Sequence, residues 1–206
     1  MPKIISISIG QIKSLNPECA TGANNILSAI VKTPVSSLAQ PLSVEVGTLG
    51  IAGDEQADME VHGGIEKAVY VYPIEHYEFW QTTFAQMIRR DPTIPLAHGF
   101  FGENLTVQGF LESEVFLGDR WFIGKAIFQV AKLREPCFKF NIKTGFKGAA
   151  KAMIQTGNSG WYLRVLHPGV IQAGDLIRIE PGAREISIAD QNRTLYRLKG
   201  QSSLDF

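Results

Sequence analysis

Gly118-Asp119-Arg120-Trp121-Phe122-Ile123-Gly124-Lys125-Ala126-Ile127-Phe128-Gln129-Val130-Ala131-Lys132-Leu133 reads as two short β-strands joined by a tight turn. Gly118-Asp119 opens the first strand, Arg120 to Ile123, and Gly124-Lys125 is the turn. The second, Ala126 to Leu133, carries Ile127, Phe128 and Val130 along the chain. Working outward, the same grammar repeats. Trp161 to Leu166 is a strand, His167-Pro168-Gly169 a turn, and Gly174-Asp175 opens a further strand, Leu176 to Glu180. Towards the N-terminus, Ile5, Ile7 and Ile9 alternate with Ser6 and Ser8, Val44 and Val46 alternate within Ser43 to Leu49, and Ala68 to Tyr72 is a short apolar run.

Many short strands separated by glycine-rich turns predict a mainly β fold, a barrel or strongly bent sheet decorated by a few helices. Helices do not alternate regularly with strands, which makes a parallel α/β fold the weaker choice. One helix is expected from Pro73 through Arg89, where Tyr77, Trp80, Phe84 and Met87 or Ile88 recur at helical spacing. That stripe is read as packing onto the sheet, since periodicity predicts burial without help. A short helix is expected from Gly148 to Thr156, ended by Gly157-Asn158-Ser159-Gly160. Pro181-Gly182 reads as a boundary, giving a barrel over residues 1–181 and a short helical tail over 182–206 with its helix within Ile186 to Leu198.

Twenty basic and twenty acidic side chains cancel in the 206 residues, so no electrostatic footprint for nucleic acid or a membrane surface is present. No run approaches the roughly 20 apolar residues that span a bilayer. The two cysteines, Cys19 and Cys137, lie far apart in unlike contexts, which argues against a disulfide framework. A reducing cytoplasm is the expected compartment.

Only one cysteine has a chemically loaded setting. In Leu133-Arg134-Glu135-Pro136-Cys137-Phe138-Lys139 the proline turns the chain out of its strand, and Arg134 and Lys139 bracket the thiol. A thiolate beside fixed positive charge forms more easily and is a soft ligand. One cysteine cannot build a zinc site or a cluster, so a metal here must bring most of its own ligands. A second polar stretch, Gly53-Asp54-Glu55-Gln56-Ala57-Asp58 followed by Val61-His62-Gly63-Gly64, reads as a loop whose paired glycines allow close approach to a ligand. Asp54, Glu55 and Asp58 do not fit a calcium loop and are read as hydrogen-bonding and turn residues. His76, His98 and His167 show no ligand spacing and are read as structural.

Taken together, Gly53 to Asp58, Val61-His62-Gly63-Gly64, Gly102-Glu103-Asn104-Leu105-Thr106, Arg134-Glu135-Pro136-Cys137 and Gly160-Trp161-Tyr162 resemble the MOSC domain, named for the C-terminal domain of molybdenum cofactor sulfurases, and within it the YiiM-like subgroup. The resemblance covers about Ile4 to Glu180. It implies a β-barrel that binds molybdenum cofactor, with Cys137 as the protein ligand to molybdenum beside a pterin dithiolene. For the YiiM-like branch it implies reduction of N-hydroxylated compounds such as hydroxylaminopurine-type base analogues and hydroxylamines. It also implies a C-terminal bundle of three short helices, of which the tail here would be a remnant.

On this reading His62 is the proton donor, and Arg134 binds the pterin phosphate or holds substrate. Lys139 and Lys67 are further phosphate contacts, Asn104 meets pterin edges, Gly63 and Gly64 admit the cofactor, and Trp161 walls the pocket or packs in the barrel. No flavin, heme or nicotinamide fingerprint is present, so a separate electron-donor protein is expected, with a homodimer left open. The rival reading is a molybdenum cofactor or sulfur carrier that uses Cys137 without turnover.

Overall fold

The structure, a computed structural model, describes residues 1–19, 25–59 and 63–200. Its strands are β1 (Lys3–Ile9), β2 (Lys13–Ser14), β3 (Leu27–Ser28), β4 (Thr33–Ser37), β5 (Val44–Gly47), β6 (Gly50–Ile51), β7 (Val69–Pro73), β8 (Leu105–Gln108), β9 (Arg120–Ile123), β10 (Ala126–Leu133), β11 (Trp161–His167), β12 (Gly169–Ile171) and β13 (Ile177–Glu180). Four α-helices accompany them: α1 (Tyr77–Ile88), α2 (Phe138–Thr144), α3 (Ala149–Thr156) and α4 (Ile188–Gly200).

Eight strands form one sheet in the order β13-β9-β10-β11-β7-β8-β1-β4. The opening pair of strands is the hairpin expected from sequence: Ile123 faces Ala126, and Gly124, at φ +53, supplies the left-handed turn position. The sheet curls into a half-barrel. Its far edge returns to its beginning, since the Ile4 amide donates to the Asp175 carbonyl at 3.0 Å and the Ile177 amide to that of Pro2 at 3.0 Å.

Strand β7 is the middle of the construction. It pairs antiparallel with β11 and parallel with β8, the one parallel pair of the sheet, reached by the crossover through α1. Every residue of β7 is buried, the mark of a strand covered on both faces. Val69 and Val71 enter the barrel core with Leu105, Trp121, Phe128, Trp161 and Leu163. Tyr70 and Tyr72 point the other way, into an aromatic layer with Tyr77, Trp80 and Phe84 of α1, Phe101, and Phe140 of α2. Tyr72 stacks on Phe101 with ring centroids 4.3 Å apart. The aromatic stripe is therefore packing, with Ile88 on the buried side while Met87 is exposed.

Three local readings shift. The strand runs through Pro73, and a 3-10 turn, Ile74–His76, precedes α1. Arg89, at φ +55, caps that helix instead of continuing it. The sequence reading places no helix directly after Cys137, yet α2 begins at Phe138; its seven residues are too short to show a full apolar period. The last helix, α4, sends Ile188 and Leu195 into the main core, and Gln191 accepts the Leu133 amide at 2.7 Å.

Gly160 sits where β11 starts beside β7, at φ +67, and a Cβ there would lie 2.2 Å from the Val71 carbonyl oxygen. Gly160→Ala should therefore lower stability by at least about 1–3 kcal/mol, read as a reduced denaturant midpoint in equilibrium unfolding.

Candidate active site

Tyr70 on β7 and Tyr162 on β11 are direct cross-strand partners. Their alternation puts both rings on the face opposite the barrel core, 5.4 Å apart, as two walls of a cavity. Arg134, one residue past the end of β10, and Cys137, just before α2, enter from the next strand over. Phe101, Gly102 and Asn104 arrive from the turn before β8, and Asp54, Glu55 and Gln56 from the loop after β6. The cavity encloses about 100 Å³.

Arg134 is the electrostatic centre. It is 5% exposed, and its guanidinium lies between two rings, 5.3 Å from the Tyr70 centroid and 5.0 Å from that of Phe140. One nitrogen approaches the Met153 sulfur at 2.9 Å, and the group also hydrogen-bonds the Tyr162 hydroxyl. Among the described residues no carboxylate lies within ion-pair distance of it. Two ring contacts return about 0.5–2 kcal/mol each, against several for burying a cation. The balance favours an anion in the cavity.

The opposite wall is tied by a chain of polar contacts. Lys32 pairs with Asp54, whose carboxylate also accepts from the Gly10 amide at 2.7 Å and from the Asn104 side-chain amide at 2.8 Å. Asn104 then accepts the Tyr70 backbone amide at 3.0 Å. The Asn104 side chain is thus engaged with Asp54, Ser8 and Tyr70, and what it supplies to the cavity is the position of Tyr70. Glu55 accepts the Ile12 amide, so these acidic residues hold loops, as their spacing suggested. The buried Glu103 closes the turn beneath, accepting from the Gly99 and Phe101 amides at 2.9 Å each and from Thr106 at 3.0 Å.

Of the residues singled out from sequence, the fold brings Cys137, Arg134, Asn104, Lys139 and Lys67 to one cavity. Lys139, half-buried, donates to the Leu27 carbonyl at 3.0 Å. Burial, with the nearby charge of Lys132, lowers the pKa of Lys67. Gly63 and Gly64 line a neighbouring depression with Lys67 and Lys132, linked to the cavity by Gln56, which accepts the Gly64 amide at 2.8 Å. Trp161 is not brought to the cavity; it is fully buried in the barrel core against Trp121, with ring centroids 5.6 Å apart. His62 lies outside the described residues. His76 pairs with Glu112 at 2.8 Å, a structural contact away from the thiol.

Sequence reasoning missed Tyr70, Tyr162, Phe101 and Lys32. A signal for the tyrosines was present: in each strand the tyrosine alternates with a core residue, Val69 or Trp161, and must face the other side. Lys32 carried none, because its partner Asp54 is 22 residues away.

The MOSC domain pattern matches residues 58–178. Over 194 residues the chain is 36% identical to the uncharacterized protein YflK of Bacillus subtilis (strain 168), covering 94% of this chain and 80% of that one. A protein of Gibberella moniliformis (strain M3125 / FGSC 7600) named "Reductase" is 36% identical over 133 residues, which are 63% of this chain and 22% of that longer protein. The crystal structure of YiiM from Geobacillus stearothermophilus superposes with a TM-score of 0.72 at 33% identity, covering 97% of this chain and 86% of that one.

Lys143 of α2 donates to the Gly99 carbonyl at 3.5 Å over the Phe100 ring, and burial, helped by the charges of Arg134 and Lys32, pulls its pKa from 10.5 to about 8. Between about 8 and 10.5 the unfolded chain holds a proton there that the folded chain has lost, so this group makes stability rise with pH across that window. Lys143→Met should flatten the rise, measured as denaturant midpoints of parent and variant from pH 7 to 10.

Proposed function

Because the chain belongs to the MOSC domain family and is YiiM-like, we propose that it is a molybdenum-cofactor-binding reductase of N-hydroxylated compounds, with Cys137 as the protein ligand to molybdenum. The observation that carries this reading is the buried Arg134 guanidinium, without a carboxylate partner among the described residues, beside a single thiol. Among the described residues no cluster of three or more His, Cys, Asp or Glu side chains is placed to hold a metal ion. Such a donor set suits an anionic group that brings its own ligands and takes one soft ligand from the protein. The residues present therefore fit a molybdenum-pterin.

In this site Cys137 supplies the thiolate. Arg134 holds an anionic edge of the cofactor or substrate, and Lys139 and Lys67 add positive charge at the rim. Tyr70, Tyr162 and Phe101 give flat walls for a planar ring system. Asn104 fixes Tyr70, and the Tyr70 hydroxyl, donated to the Ser159 carbonyl at 2.7 Å, locks the ring. When bound, the molybdenum centre supplies two-electron redox chemistry. The redox assignment draws support from the relative named "Reductase". The reaction requires electrons from outside the chain, which a separate electron-donor protein would deliver.

The test is the molybdenum and pterin content of protein purified from a cofactor-making host, followed by turnover of a hydroxylamine with reduced methyl viologen. Cys137→Ser should keep the circular dichroism of the parent and lose at least tenfold in bound molybdenum. Full metal content in that variant would remove the ligand assignment. Arg134→Lys should also retain less molybdenum, by about tenfold, because an ammonium reproduces neither the planar fork nor the stacking between Tyr70 and Phe140. A loaded parent that never reduces an N-hydroxyl compound would assign the carrier role.

A further inference from the structure

A second cleft, of about 330 Å³, opens between the ends of α3 and α4 and the connection that follows β8, and it shares no lining residue with the Cys137 cavity. Three of its lining side chains are polar and more than nine-tenths buried: His76, Glu112 and Asn192. Each has a hydrogen-bonding capacity that the protein leaves unused.

Asn192 is the clearest case. Its Nδ2 donates to the Gly157 carbonyl at 2.8 Å, which fixes the amide orientation because a carbonyl only accepts. The Oδ1 atom that remains has no partner among the described residues. A buried carbonyl oxygen in that state costs free energy until a donor reaches it. Glu112 accepts the Gly160 amide at 2.9 Å on one oxygen and the His76 Nε2 hydrogen at 2.8 Å on the other, so each oxygen keeps a lone pair. The His76 Nδ1 makes no hydrogen bond among the described residues, and with the hydrogen on Nε2 the neutral ring offers it as an acceptor.

The unused groups are therefore acceptors, and they call for N–H or O–H donors. An anion finds little here: the one permanent cation among the lining residues, Arg193, pairs with Asp190. The walls set the rest of the ligand. Ile154 is buried on one side, while Leu111 and Tyr196 are partly exposed at the rim. Tyr196 lies four residues after Asn192 on α4, so the ring stands on the same face as the unpartnered amide.

We propose that this cleft is a binding site for small primary amines, whose amino or ammonium head donates to Asn192 Oδ1 and to the Glu112–His76 pair while an apolar body lies against Ile154, Leu111 and Tyr196. The carboxylate favours a cationic head, and the exposed phenol ring favours a flat body, which it can stack on. The site is independent of the chemistry at Cys137 and holds whether or not the chain is a reductase.

The experiment is an NMR titration of the ¹⁵N-labelled full chain at neutral pH with benzylamine as the probe, and with benzoate as a ligand of the same ring whose head only accepts. Benzylamine should shift the signals of Gly157, Asn158 and Asn192 with a Kd on the order of 1 mM, as expected of a fragment of this size. Benzoate should bind at least about tenfold more weakly. Asn192→Leu should weaken benzylamine by about tenfold and the exposed Tyr196→Ala by about threefold. If Asn192→Leu does not fold, Tyr196→Ala and the benzoate comparison decide. Benzoate binding as tightly as benzylamine would overturn the proposal, leaving a cleft that takes any ring. So would variants that bind like the parent, shifts confined to the residues of the Cys137 cavity, or no saturable shift at all.

Discussion

Strand β7 has no solvent face, and much of the molecule follows from covering both its sides. Val69 and Val71 require the barrel core on one face, which the curl of the eight-stranded sheet provides. Tyr70 and Tyr72 require a second layer on the other, which α1, the turn carrying Phe101, and α2 provide. The parallel pairing with β8 is the consequence, because a chain that must lay a helix over the strand it has just left returns in the same direction. The cavity lies at the edge of that second layer. Its walls are the outward residues of two paired strands, so their positions are fixed by register and not by loop conformation.

Electrostatics inside this layer are arranged around cations that the fold buries. Arg134 is held by rings, a sulfur and a phenol; Lys32 has the Asp54 carboxylate; Lys143 has a carbonyl and a ring, and its pKa falls to about 8. Of the three, Lys32 alone has a carboxylate within ion-pair distance among the described residues. The shortfall at Arg134 lies on the wall next to the thiol. Dense packing holds the group in place: Phe140, Met153 and Trp80 are fully buried.

The polar chain from Lys32 through Asp54 and Asn104 to the Tyr70 amide plays the complementary part. It ties the segment before β4, the loop after β6, the turn before β8 and strand β7 into one wall. Asp54 and Glu55 in that loop accept the Gly10 and Ile12 backbone amides, which is why a segment too polar for a strand still has a defined position.

The sequence by itself determined most of the element types and singled out the candidate site. Period-two alternation marked the strands, helical spacing marked α1, and a proline followed by a cysteine between two cations marked the site, because each is a local property of consecutive residues. The family resemblance rested on the same short motifs. Tertiary structure alone decided which face of each strand becomes a wall. Trp161 and Tyr162 are neighbours of similar character, and only the side on which the barrel closes sends the first to the core and the second to Cys137. It also decided that Asn104 serves the backbone of Tyr70, that α2 forms after the cysteine, and that Arg134 is buried among rings. Each of these depends on partners far away in the chain, whose approach is set by sheet order and register, and no local pattern encodes that.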